Sequence, residues 1–149
     1  MKSVAAKKIE EKGLRWTPQR RAIISAIANS EKKHLSAEEI YLLSKKTMPS
    51  IGLATVYRTL ELFCTIGILQ KLNLPDESAR YELLQKDENA HCHYLCLGCG
   101  KIFEVPLQEE FPLPSTKNDE SIEDFTVVNS SFWHFGYCRN CKLRKENQI

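Results

Sequence analysis

The chain has 149 residues, 42% of them hydrophobic, and a formal net charge of +2 at pH 7. That length supports one ordinary core or two small ones, and no apolar run approaches the roughly 20 residues a membrane-spanning helix needs, so no membrane partner is expected. The charge is unevenly placed, with 14 Lys/Arg against 8 Asp/Glu in residues 1–80 and 7 against 11 in residues 81–149. A basic first half suits a polyanion such as nucleic acid, although by itself it fits a solvated basic face equally well.

Along the first eighty residues the pattern is helical. Ala5, Ala6 and Ile9 mark a weakly amphipathic stretch that stops near Gly13. Thr17-Pro18 then supplies an N-cap residue and a first-turn proline ahead of Ile23, Ile24 and Ile27. Ser36 followed by Glu39 forms a capping box opening a third helix through Ile40, Leu42 and Leu43, ended by Pro49. A fourth helix runs from near Leu53 to Gly67, with Val56, Leu60 and Phe63 at i, i+4 and i+7 facing a core. Two extended runs follow, Ile68–Leu74 and Arg80–Leu84, joined by Pro75-Asp76-Glu77-Ser78 in a hairpin. Helices followed by a two-stranded wing make a winged helix-turn-helix, predicted over residues 1–84. The polar stretch 85–90 reads as a hinge. Strands are expected at His91–Cys96, Lys101–Val105 and Phe125–Cys138, within a second domain over residues 91–149.

Four of the six cysteines form two CxxC pairs, Cys96 with Cys99 and Cys138 with Cys141, separated by 38 residues. Each CxxC turn brings two sulfurs onto one ion, and two turns complete the tetrahedral shell of a structural Zn²⁺. Gly98 and Gly100 give the first turn its backbone freedom. Local disulfides are the poorer explanation, because nothing reads as a secretory signal and a reducing cytosol is expected. Duplicated pairs so far apart also suit a zinc knuckle better than a redox dithiol.

The fourth helix has the composition of a DNA-reading element. Arg58 can fork onto guanine O6 and N7, Thr55 and Thr59 can bond phosphates, and the Tyr57 ring can touch a thymine methyl. The alternative is an amphipathic helix whose polar face meets water. Arg15, Arg20 and Arg21 favour the first reading, because they cluster where a winged helix meets the phosphate backbone or minor groove. On the predicted strand at residue 91, His91 and His93 project to one face and Cys92 to the other, an arrangement able to present two imidazoles to one ion. Alone, such a pair is more often a surface or packing feature.

Taken in order, Thr17-Pro18-Gln19-Arg20-Arg21, the run His34 to Tyr41, the run Ile51 to Leu62 (IGLATVYRTLEL), His91-Cys92-His93 and both CxxC pairs resemble the ferric uptake regulator family over nearly the whole chain. The resemblance implies an α+β protein, with an N-terminal winged helix-turn-helix domain followed by a small α/β dimerisation domain carrying structural zinc. It implies a metal-dependent repressor that binds double-stranded operator DNA as a homodimer, with Arg15 in a minor groove and Tyr57 and Arg58 in the major groove. It also places His34, Glu82 and Glu104 with His91 and His93 as regulatory metal ligands. Three imidazoles and two carboxylates suit Fe²⁺ or Mn²⁺, yet Zn²⁺ can bind such a set more tightly, so affinity alone does not name the metal.

The expected function is a cytoplasmic, iron-sensing repressor, with zinc-uptake and peroxide-sensing regulators of the same superfamily as alternatives. Glu104 and Glu82 lean toward iron sensing, because the resembling peroxide sensors carry aspartate at the first of these positions. A further metal site of many relatives is expected to be absent or altered, since Ala90, Cys92 and Ser130 stand in its neighbourhoods. Pro106, Pro112 and Pro114 put the usual dimerisation helix in doubt. Cys64 reads as a small hydrophobe and His134 as structural. An enzyme is not expected: a four-thiolate shell is closed, and no HExxH or related element supplies an open metal with a general base. A zinc-stapled interaction module would leave the basic half unexplained.

Overall fold

The computed structural model describes residues 4–84, 91–106 and 132–146, and for His91 the backbone alone. The chain divides into two compact units, Met1–Gln85 and Lys86–Ile149. The expected hinge at 85–90, Ser130, and the proline-containing stretch from 107 onward lie outside the described residues.

Four helices build the first unit: α1 (Val4–Glu11), α2 (Pro18–Ala28), α3 (Ala37–Thr47) and α4 (Leu53–Thr65). Their starts follow from the caps in the sequence. The Thr17 hydroxyl accepts from the Arg20 amide at 3.3 Å, and Pro18 occupies the first turn, where its missing N–H costs nothing. At α3 the capping box is complete: the Ser36 hydroxyl accepts from the Glu39 amide, and the Glu39 carboxylate accepts from the Ser36 amide at 2.7 Å. Ile23, Ile24 and Ile27 of α2, Ile40 of α3, and Val56, Leu60 and Phe63 of α4 join Ile9 in one buried cluster. Each such side chain contributes roughly 1.5–3 kcal/mol by leaving water.

The wing is the antiparallel hairpin β1 (Leu69–Asn73) and β2 (Ala79–Leu83). Its turn is closed by the Leu74 amide donating to the Ser78 carbonyl and by the Asp76 carboxylate accepting from the Ser78 amide. Glu77 adopts φ 64°, the left-handed conformation the tight reversal requires. A third segment joins the hairpin through one residue: Leu35 and Tyr81 exchange backbone hydrogen bonds at 3.1 and 2.8 Å, tying the approach to α3 onto the wing.

In the second unit, β3 (His91–Cys96) is the centre of a three-stranded sheet, antiparallel to β4 (Ile102–Pro106) and parallel to β5 (Phe132–Gly136). The expected strand from Phe125 is described only from Phe132. A helix the sequence pattern did not announce, α5 (Arg139–Glu146), starts one residue after Cys138. Only Cys141 of its residues is buried, so it carries no apolar stripe to read. Arg144 and Lys145 in its last turn oppose the negative end of the helix dipole.

Candidate functional site

The two CxxC pairs meet at one end of this sheet. Cys96 ends β3, Cys99 follows in the turn toward β4, Cys138 follows β5, and Cys141 lies in the first turn of α5. Their four sulfurs lie within 4.8 Å of one another, and none is in a disulfide. The Cys99 and Cys138 sulfurs are 3.9 Å apart, close to the tetrahedral edge of about 3.8 Å implied by Zn–S bonds of about 2.3 Å. The donor set therefore fits zinc. The turn closes through the Gly100 amide donating to the Cys96 carbonyl at 2.8 Å, with Gly100 at φ 70°. Gly98 admits a close approach, for a Cβ there would lie 2.8 Å from the Cys141 Cβ.

The knuckle holds two of its thiols differently. The Cys138 amide donates to the Cys96 sulfur at 3.2 Å, and this bond is the main reason the Cys96 thiol is held down to about 6. Cys141 is pushed up to about 12, chiefly because it shares a hydrogen bond with the Cys138 thiol. The remaining cysteines are of another kind. Cys92 is buried on the face of β3 opposite His93, and burial pushes the half-exposed Cys64 thiol upward, as for an apolar filler.

Among the described residues each unit also holds a histidine–carboxylate pair, and both arise from the same local geometry. In the first unit the Leu35–Tyr81 bridge sets the preceding residue, His34, opposite the following one, Glu82. His34 Nε2 and Glu82 Oε2 are 3.7 Å apart, and both side chains are about nine-tenths buried. In the second unit His93 pairs directly with Glu104 across β3 and β4, with Nε2 to Oε1 at 4.0 Å. His93 is 2% exposed and stacks on Trp133 at 4.7 Å. Two donors bonded at about 2.1 Å to one ion lie about 3.0–4.2 Å apart depending on bond angle, so either pair fits two ligands of a single cation. The side chain of His91 lies outside the described residues. His134 is exposed and stacks on Tyr94 at 4.5 Å, a packing role.

On α4, Tyr57 and Arg58 are exposed and Thr55 is partly so. Thr59 is not: at 8% exposure it sits with Val56, Leu60 and Phe63 on the buried face, and the expectation that it bonds phosphate is corrected. Arg15 is exposed just before α2, and the Arg20 guanidinium donates to the Arg15 carbonyl, fixing the backbone that carries it. The sequence reading also missed Glu38, whose carboxylate accepts from the Tyr57 hydroxyl at 2.6 Å. No spacing rule links residues 19 apart on separate helices.

A winged helix and a small metal-fitting α/β unit in one chain define a metal-responsive DNA-binding regulator. The chain belongs to the ferric uptake regulator family, whose model matches residues 11–129. It is 38% identical over 140 residues to the ferric uptake regulation protein of Bacillus subtilis, covering 91% of this chain and 90% of that one. It is 35% identical over 138 residues to the peroxide-responsive repressor PerR of Staphylococcus epidermidis, covering 90% and 85%. Its fold resembles the ferric uptake regulator of Pseudomonas aeruginosa solved with manganese, with a TM-score of 0.72, 27% identity, and coverage of 92% and 99%. Members of this family are transcriptional regulators that bind metal and DNA and act as dimers, not enzymes. No helix among the described residues is long and apolar enough to cross a membrane.

Proposed function

We propose that this chain is a cytoplasmic, iron-sensing repressor that binds operator DNA as a homodimer when its regulatory metal site is filled. The observation carrying this reading is the histidine–carboxylate pair in each unit, His34 with Glu82, both buried, and the buried His93 with the partly buried Glu104. With His91 these residues offer the nitrogen and oxygen donors that suit Fe²⁺, while Cys96, Cys99, Cys138 and Cys141 take the structural zinc. His34 and Glu82 flank the Leu35–Tyr81 bridge, so they are coupled through two backbone hydrogen bonds to the wing and to the start of α3. Operator contact is assigned to Arg15, Arg20, Thr55, Tyr57 and Arg58, with Arg58 reading bases and Arg20 steadying Arg15 and the backbone approach. Glutamate rather than aspartate at positions 82 and 104 supports iron sensing over peroxide sensing.

The test begins with a duplex selected by the metal-loaded protein from a randomised library. Binding to that duplex is then titrated anaerobically with Fe²⁺, Mn²⁺ and Zn²⁺ in turn. Fe²⁺ is expected to activate binding, and His91→Ala to abolish the response while the thiolate-bound zinc is retained. Response to Zn²⁺ without Fe²⁺ would make this a zinc-uptake regulator. Rapid oxygen addition at His34 or His91 on adding peroxide, seen by peptide mass spectrometry, would make it a peroxide sensor.

A further inference from the structure

Glu38 stands where a carboxylate is unfavourable for binding DNA. It is exposed in the first turn of α3, in the basic half of the chain, and it contacts Tyr57 on the helix that carries Arg58. A carboxylate on such a face repels phosphate and weakens attraction to every sequence alike. Its worth to folding is also small, because exposed charged contacts contribute little. What it does accomplish is geometric. The Tyr57 hydroxyl donates to Glu38 Oε1 at 2.6 Å, the short length of a charge-assisted hydrogen bond. The Glu38 backbone is itself fixed, since the Ser36–Glu39 capping box locks the turn on which it sits. A freely rotating, 39% exposed tyrosine thus becomes a ring anchored at both ends, by α4 through its Cβ and by α3 through its hydroxyl.

We infer that Glu38 is a positioning residue for sequence reading: it holds the Tyr57 ring so that the ring's apolar face meets a thymine methyl, at the cost of general affinity for DNA. The inference rests on the reading that α4 contacts the operator. Loss of non-specific attraction in exchange for a fixed reading group is a route to specificity, which is a difference of affinities. The pairing also holds across neutral pH. The Tyr57 hydrogen bond keeps the Glu38 carboxyl below its usual range, and the carboxylate keeps the Tyr57 phenol above its own.

The experiment uses the full-length, metal-loaded protein and three duplexes: the selected one, a scrambled one, and the selected one with thymines replaced by uracil, which removes only the methyls. Glu38→Ala is expected to bind the scrambled duplex more tightly. Its preference for the selected duplex should fall about two- to ten-fold, the value of one side chain's ordering, and it should no longer distinguish thymine from uracil. Glu38→Gln keeps an oxygen acceptor and removes the charge, so it should tighten scrambled binding yet retain the thymine preference. Tyr57→Phe should match Glu38→Ala in preference, and the double variant should lose no more than either alone. The inference is overturned if Glu38→Ala keeps the thymine preference, or if Glu38→Gln loses as much as Glu38→Ala. If Tyr57→Ala leaves the preference intact, the assignment of Tyr57 to base reading fails with it; if Tyr57→Ala abolishes the preference and Glu38→Ala does not, only the role of Glu38 fails.

Discussion

In the N-terminal unit Ile9, Ile23, Ile40, Leu60 and Phe63 are fully buried, in a cluster drawn from every helix and the wing. Among the described residues of the C-terminal unit the buried side chains are Cys92, His93, Leu95, Cys96 and Cys141, while Tyr94, Phe103, Val105, Phe135 and Tyr137 remain exposed. The first unit buries a broad apolar cluster, whereas among the described residues of the second Leu95 is the one buried aliphatic side chain, beside the four cysteines that fit zinc. Where the described residues bury so few aliphatic side chains, a metal that the unfolded chain cannot bind equally well supplies folding free energy. The contrast points to a division of labour: the helical unit draws on apolar burial, and the second unit is expected to draw on the metal that its cysteines fit.

Removing the staple should separate the two most sharply. Cys96→Ser, or chelation of zinc, is expected to unfold residues 91–146, since structural zinc is worth about 10–16 kcal/mol in small knuckles. Amide hydrogen exchange should show protection lost there and kept in α2, α3 and α4. A zinc-free Cys96→Ser protein with a protected second unit would break the comparison. The reverse experiment is Phe63→Ala, expected to destabilise the first unit by about 3–5 kcal/mol in urea unfolding without releasing zinc. Coupled loss of zinc would mean that the units do not fold independently. Ser36→Ala makes the smallest change, about 1 kcal/mol, confined to the first unit and seen as faster exchange at the Glu39 amide, which loses its acceptor.

Local chemistry along the chain was enough to determine the four helices of the first unit, the hairpin and the two CxxC turns. Thr17-Pro18, Ser36 with Glu39, and the Val56, Leu60, Phe63 stripe each act within a few residues, where caps and periodicity operate. The cysteine spacing was readable for the same reason, because two sulfurs three residues apart need only one turn to converge. Thr59 was misread since a hydroxyl next to exposed Arg58 looks polar, although its place at i+3 from Val56, beside Leu60, already puts it on the core face. Helix α5 left no pattern, because one buried cysteine anchors it in place of an apolar stripe.

Tertiary structure alone decided which distant groups face each other. His34 meets Glu82 because Leu35 pairs with Tyr81 through a single isolated bridge, and His93 meets Glu104 because of the register of β3 on β4. Tyr57 meets Glu38 because α4 packs beside α3. Backbone pairing and helix packing carry no signature of their partner in either sequence segment, so the residues could be listed from the chain while their pairings awaited the fold.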